Sequence, residues 1–210
     1  MTRMAPIPIE ECSDGELRAT LEHFTATLGF VPNSLLTMQR VPGIARAVVQ
    51  LNRAVFDPNG RVDVGFKRLI AHMASFAAGC MYCRAHTAVS ATRLGVEDEK
   101  LQAIYQHETS PLFSEREKVA LSFALDAASV PNSVTDASYA ELARHWSEEE
   151  IVEILGVVCM FGVFNRWNDS MATPIEWEPM VRAGELLTDH GWSASKHSRA
   201  TSGDRGSARV

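Results

Sequence analysis

Residues 64–78 read VGFKRLIAHMASFAA, and residue 79 is glycine. Drawn as a helix, the stretch carries apolar side chains on nearly every side, a pattern that suits a helix enclosed by others better than one lying on a surface. Gly79 then interrupts it. Directly after the glycine comes CMYCRAHT, residues 80–87, which holds two of the chain's four cysteines, Cys80 and Cys83, with His86 three residues further on. The chain is therefore expected to run as a buried helix up to Ala78 and as a second helix from Cys80 to about residue 94, ended by Gly95.

Outward from this pair, helix signals recur. Ser13 with Glu16, Ser114 with Glu117 and Ser147 with Glu150 each have the form of a capping box. Further helices are expected over about 33–40, from Pro42 to the turn Asp57-Pro58-Asn59-Gly60, over 96–106, from Val134-Thr135-Asp136, and from Glu176 to Leu187. The run after Ser147, IVEILGVVCMFGVFNRW, is apolar nearly all round and belongs at the centre. No persuasive alternating strand and no hairpin signal stand among these segments, so the fold class reads as all-α. Residues 1–14 form an irregular lead-in, with Pro6 and Pro8 blocking regular pairing. Residues 15–187 form one helical domain. Residues 188–210, rich in Ser, Gly and Arg, are expected to be a disordered tail without function.

Composition narrows the function classes. A 210-residue chain with 46% hydrophobic residues can bury a core without staples. A net charge of −6 with no basic cluster argues against a nucleic-acid partner. The first residues lack a secretory apolar region, and the longest apolar run, Ile154 to Phe164, falls short of the ~20 residues that span a bilayer. A cytoplasmic protein without a membrane partner is expected, with its cysteines reduced.

On a helix, Cys80, Cys83 and His86 form one stripe, which brings the imidazole towards the Cys83 sulfur and the two sulfurs towards each other. A new helix beginning after Gly79 would set both cysteines in its first turn, where free N–H groups and the dipole favour a thiolate. Such a thiolate attacks a peroxide to give a sulfenic acid, which the second thiol condenses to a disulfide. Inert packing of buried cysteines is one rival reading. A zinc site is another, but this stretch offers three ligands where four are needed and the chain has no second CxxC. A purely structural disulfide within one turn closes almost no loop. Spacing, compartment and ligand count together favour the redox dithiol.

The segment FKRLIAHMASFAAGCMYCRAHT (66–87) resembles the core motif of AhpD-like alkylhydroperoxidases in the carboxymuconolactone decarboxylase superfamily. LGFVPNSLLTMQRVPGIARA (28–47) and FNRWNDSMATPIE (164–176) are similar to further stretches of that family, so the likeness covers roughly residues 20–180. The resemblance implies an AhpD-like helical bundle with the CxxC at the start of a central helix. It implies thiol-dependent reduction of a small hydroperoxide or disulfide without a metal or organic cofactor, reset by an external thiol or dithiol reductant. It also implies a homo-oligomer, a trimer or hexamer. Cys83 is expected to attack and Cys80 to resolve, with His86 as base or thiolate partner. Two departures stand out. The family's histidine falls four residues after the second cysteine rather than three, and its glutamate twelve residues before the first cysteine is replaced by Arg68.

Four residues are candidates for the proton relay. His72 could reach the dithiol only if Gly79 turns the chain back, because twelve ångströms of helix rise, roughly, separate it from Cys80 in a straight helix; a satisfied core histidine is the rival reading. Arg68 could stabilise a thiolate or simply pair with a carboxylate on the surface. Tyr82 could donate to a peroxide oxygen or pack. Asp169, with Asn168, could supply the acid or orient His86, against a reading of the NRWND segment as a helix cap with an Arg166 ion pair. Cys159 is expected to be inert within its apolar helix. Two other functions compete: a lactone decarboxylase like the superfamily's namesake, which would leave the dithiol idle, and a non-enzymatic redox-sensing or interaction protein.

Overall fold

A computed structural model describes residues 2–198. Among these residues ten α-helices follow one another: α1 Gly15–Leu28, α2 Asn33–Met38, α3 Pro42–Val55, α4 Val64–Ala77, α5 Met81–Arg93, α6 Asp98–Gln102, α7 Glu115–Ala128, α8 Asp136–His145, α9 Glu148–Met171 and α10 Trp177–Leu187. Among the described residues there is no strand, as the sequence leads one to expect. None of the helices is long and apolar enough to cross a membrane.

Local chemistry sets the boundaries. Ser114 and Ser147 close complete capping boxes with Glu117 and Glu150, and Thr135 does the same with Ser138. At α1 the cap is Asp14 rather than Ser13: its carboxylate accepts from the Leu17 N–H and pairs with Arg46 of α3, which a serine could not do. The expected helix over 96–106 divides into α6 and a 3-10 turn, Ala103–Gln106.

The apolar reading of α4 holds. Ten of its residues, from Gly65 to Ser75, are buried, and it packs against α5, α7 and α9. Gly79 adopts a left-handed φ of 68°, a conformation costly for other residues, and the Cys80 N–H returns to the Ser75 carbonyl at 3.1 Å. This turn sends α5 back along α4, so that His72 lies opposite Thr87. The helices build two cores. The larger gathers α4, α5, α7, α9 and α10; the smaller holds Leu17, Leu21, Leu35, Met38 and Val49 from α1 to α3. Phe164 of α9 packs against both, and the seam between them is where a cavity opens.

The C-terminal segment overturns an expectation. Residues 188–198, read as the start of a disordered tail, form 3-10 turns at Thr188–His190 and Ser195–His197. Trp192 is buried and its indole N–H donates to the Met81 carbonyl at 2.9 Å, while His197 is fully buried. Two aromatic anchors hold a segment whose average composition is polar, which is why composition misread it. Residues 199–210 lie outside the described residues.

Inside α4, Lys67 is 1% exposed; its ammonium sits 2.8 Å from Glu153 and donates to the Val55 carbonyl at 2.9 Å. Removing the acid leaves a buried charge without its counter-ion. Glu153→Ala is expected to destabilise the fold by about 3 kcal/mol, the lower end of that class because Glu153 is partly exposed, as read from urea denaturation.

Candidate active site

Cys80 is the N-cap of α5: its φ and ψ are extended, and its sulfur accepts from the Cys83 N–H at 3.4 Å. Cys83 occupies the first turn, one helical position stripe below. Both are buried free thiols. The two sulfurs therefore face the same turn, but only Cys83 lines the cavity, a space of about 140 Å³ between the cores. Phe24, Val48, Phe161 and Phe164 give it apolar walls, and Cys83, His86 and Arg68 supply its chemistry.

Burial, reinforced by Cys80, pushes the Cys83 thiol well above its ordinary pKa despite the Asn168 amide that donates to its sulfur at 3.6 Å. The first-turn dipole does not overcome desolvation here, so the resting sulfur is a thiol that needs a base. His86, three residues on, is the nearest in sequence. Its Nε2 lies 2.6 Å from Glu176 Oε2, its ring stacks on Tyr82 with centroids 4.2 Å apart, and it lines the cavity beside Cys83. With Nε2 committed to the carboxylate, Nδ1 is the nitrogen that can exchange a proton with the cavity.

Glu176 is the acid that the sequence reading did not find. It lies in the turn entering α10 and is 5% exposed. Its Oε1 accepts from the Tyr82 hydroxyl at 2.9 Å and from the Asn33 N–H. Burial acts to raise its pKa, but His86 and the Asn33 N–H outweigh that and hold it below the usual value. Tyr82 is driven the other way, well above its ordinary range, by burial and by the Glu176 charge. The one local signal was an acid immediately before a helix, which reads as an ordinary first-turn residue.

The other candidates separate. Asp169 does not reach His86: its Oδ2 pairs with Lys196 at 2.6 Å, and its Oδ1 lies 3.5 Å from His197 Nε2 without hydrogen-bond geometry. Its neighbour Asn168 is the NRWND residue that touches the dithiol. Among the described residues Arg166 makes no ion pair, and it donates to the Gly162 carbonyl in its own helix. His72 is turned back towards α5, as Gly79 requires, but it does not line the cavity. Its Nδ1 lies 2.8 Å from the Thr87 hydroxyl and its Nε2 2.7 Å from the Tyr105 hydroxyl. Burial, then the Arg84 charge, lower its pKa to about 3, so it is a neutral core residue. Arg68 is no surface ion pair either; it lines the cavity with its guanidinium 3.5 Å above the Phe56 ring. Cys159, expected inside, is exposed on the outer side of α9.

Behind the dithiol, the C-terminal segment adds a second imidazole. His197 Nδ1 lies 2.8 Å from the Thr173 carbonyl, an acceptor only, so this nitrogen carries a proton. Its Nε2 is buried without a hydrogen-bond partner among the described residues, and burial favours the neutral ring. Ligand atoms of Cys80, Asp169 and His197 lie within 4.8 Å of one another. Such a group can pass a proton from the Cys80 thiol, and it is also a set of three donors able to hold a metal ion; it differs from the Cys80, Cys83 and His86 stripe considered from the sequence.

The model of the carboxymuconolactone decarboxylase family matches residues 42–126. The debrominase Bmp8 is 33% identical to the chain, covering 89% of it and 98% of Bmp8, with a TM-score of 0.80 for the unliganded structure. A cysteine-to-alanine variant of Bmp8 in complex with 2,3,4-tribromopyrrole superposes with a TM-score of 0.81. An AhpD-core, peroxidase-related protein from Ralstonia eutropha shares the fold at a TM-score of 0.76 and 20% identity, covering 85% of this chain and 94% of that one. Among curated proteins, the uncharacterized YnjA of Escherichia coli is 29% identical over 97 residues, 46% of this chain; the match spans about half of YnjA, 53%. This chain and Bmp8 belong to one protein family, and the AhpD-core protein shares their fold.

The Glu176 environment gives a pH signature. Its folded pKa lies below the unfolded value of about 4.3, so its stabilisation is complete above that value and is lost as pH falls through the folded one. Glu176→Gln is expected to cost about 1–3 kcal/mol at pH 7 and progressively less in acid, measured by denaturant unfolding across pH.

Proposed function

We propose that the protein is a thiol-dependent reductase of small organic hydroperoxides, with Cys83 attacking and Cys80 resolving. One observation carries the reading: of two sulfurs sharing one helical turn, Cys83 borders an apolar cavity beside His86 while Cys80 stands behind it. His86, oriented by Glu176, takes the Cys83 proton. The thiolate attacks the outer peroxide oxygen, the O–O bond breaks, and the alkoxide leaves as alcohol with the proton returned by His86. Cys83 is then a sulfenic acid. Cys80 gives its proton to His197 and displaces hydroxide from that sulfur, which regains that proton and leaves as water as the Cys80–Cys83 disulfide forms. An external dithiol restores both thiols, a step suited to a reducing cytoplasm. The overall change is hydroperoxide plus two thiols to alcohol, water and disulfide. A homo-oligomer belongs to the same proposal, supported by Val152, Leu155 and Val163, which leave α9 with exposed apolar side chains.

A second reading has its own support in the 33% identity to a debrominase over nearly the whole of both chains. There the Cys83 thiolate would take a halogen from a small ring, a proton would replace it on carbon, and Cys80 would release halide as the disulfide forms. Lactone decarboxylation and non-enzymatic sensing find less support, since the first leaves the buried dithiol idle and the second leaves the cavity without a purpose.

Parallel assays with cumene hydroperoxide and 2,3,4-tribromopyrrole, each with dithiothreitol, separate the readings by which substrate turns over. Cys83→Ser is expected to abolish turnover of either. In the absence of any reductant, Cys80→Ser should consume about one equivalent of hydroperoxide and stop at a Cys83 sulfenic acid trapped by dimedone. His197→Gln should slow disulfide closure, so that the same adduct accumulates transiently. Full peroxidase activity in Cys83→Ser would falsify the assignment.

A further inference from the structure

We propose that the cavity selects a small organic anion, a carboxylate on a single ring or short branched chain, through the guanidinium of Arg68. The inference rests on the reading of this cavity as the substrate site, and it adds the substrate's charge.

A buried cation ordinarily has a partner, because taking it out of water is costly otherwise. Two fully buried cations obey this. Lys67 has Glu153 and the Val55 carbonyl, and Arg84 donates to the Tyr105 hydroxyl and the His190 carbonyl. Arg68 is different. Among the described residues it has no carboxylate within ion-pair distance and no hydrogen-bond acceptor, and its Nε is buried and unpartnered. The Phe56 ring covers one face of the guanidinium, which satisfies none of its in-plane N–H donors. Burial alone drags its pKa down to about 10, still high enough to keep the charge at neutral pH.

The guanidinium borders the cavity, so an occupant is the partner the fold withholds. A planar fork of donors matches a carboxylate in two parallel bonds. The remaining walls are largely aromatic and aliphatic, which suits an apolar body. A volume of about 140 Å³ is close to that of an engineered cavity that admits benzene, which limits the body to about one ring. Cys83 does not compete for the charge. The groups that bear most on its sulfur are Cys80, Asn168 and Asp169, and burial keeps the resting thiol neutral. An anion therefore enters without meeting a second negative charge on the sulfur.

Two alkylating reagents of nearly equal size test this without any peroxide turnover. Iodoacetate carries a carboxylate and iodoacetamide does not; the rate constant of each at Cys83 is read by peptide mass spectrometry. Arg68→Met is expected to lower the iodoacetate-to-iodoacetamide ratio at Cys83 roughly tenfold. Arg68→Lys should keep most of the preference, and it serves if the Met variant does not fold. Exposed Cys159 supplies the internal reference, its ratio unchanged in every variant. Benzoate should protect wild-type Cys83 from iodoacetamide and fail to protect the Met variant. An unchanged ratio, or an equal slowing of both reagents, overturns the inference, the latter because Arg68 would then act on the thiolate. Because alkylation is the readout, loss of the peroxidase reading would leave this result standing on its own.

Discussion

A helix enclosed on every side has to settle its polar side chains inside the protein, and α4 is such a helix. Lys67 reaches Glu153, and His72 reaches Thr87 and Tyr105. Each partner lies on a different element, so satisfying α4 fixes the positions of α5, the 3-10 turn after α6, and α9 around it. Arg68 alone is left facing the seam between the two cores. The same packing that makes the framework rigid leaves Arg68 without a counter-ion among the described residues in its cavity.

The turn at Gly79 transmits that order to the dithiol. A left-handed residue ends α4 and starts α5 within a single step, which makes Cys80 an N-cap and sets Cys83 in the first turn. Helix start and sulfur exposure then diverge. The dipole at a helix N-terminus favours thiolates, yet burial holds Cys83 as a thiol. In the proposed chemistry a neighbouring group removes that proton, and two imidazoles lie near the dithiol. His86 stands on the cavity side, braced by Glu176, and His197 stands behind Cys80, braced by Thr173.

Much of this was legible in the chain. The apolar encirclement of residues 64–78 announced the central helix, the Ser114 and Ser147 boxes marked their helix starts, and Cys80, Cys83 and His86 formed one stripe by spacing alone. Partners distant in sequence were not legible. Glu176 meets His86 across 90 positions, and nothing local distinguished it from Asp169, which stood nearer to the polar NRWND cluster and turned out to face Lys196 and His197. The C-terminal segment failed for a different reason. Its mean composition is polar, but Trp192 and His197 each find a buried socket, and two anchors suffice to order a short strap.

The sequence by itself determined the helical class, the break at Gly79 and the pairing of two thiols with an imidazole, because each depends on periodicity or on residues within a turn of one another. Tertiary structure alone decided which carboxylate braces the imidazole, which sulfur meets the cavity, and that Arg68 lies there without a counter-ion among the described residues. Those outcomes depend on which faces of α4, α5, α9 and α10 converge, and convergence is set by the packing of whole helices rather than by any stretch of chain.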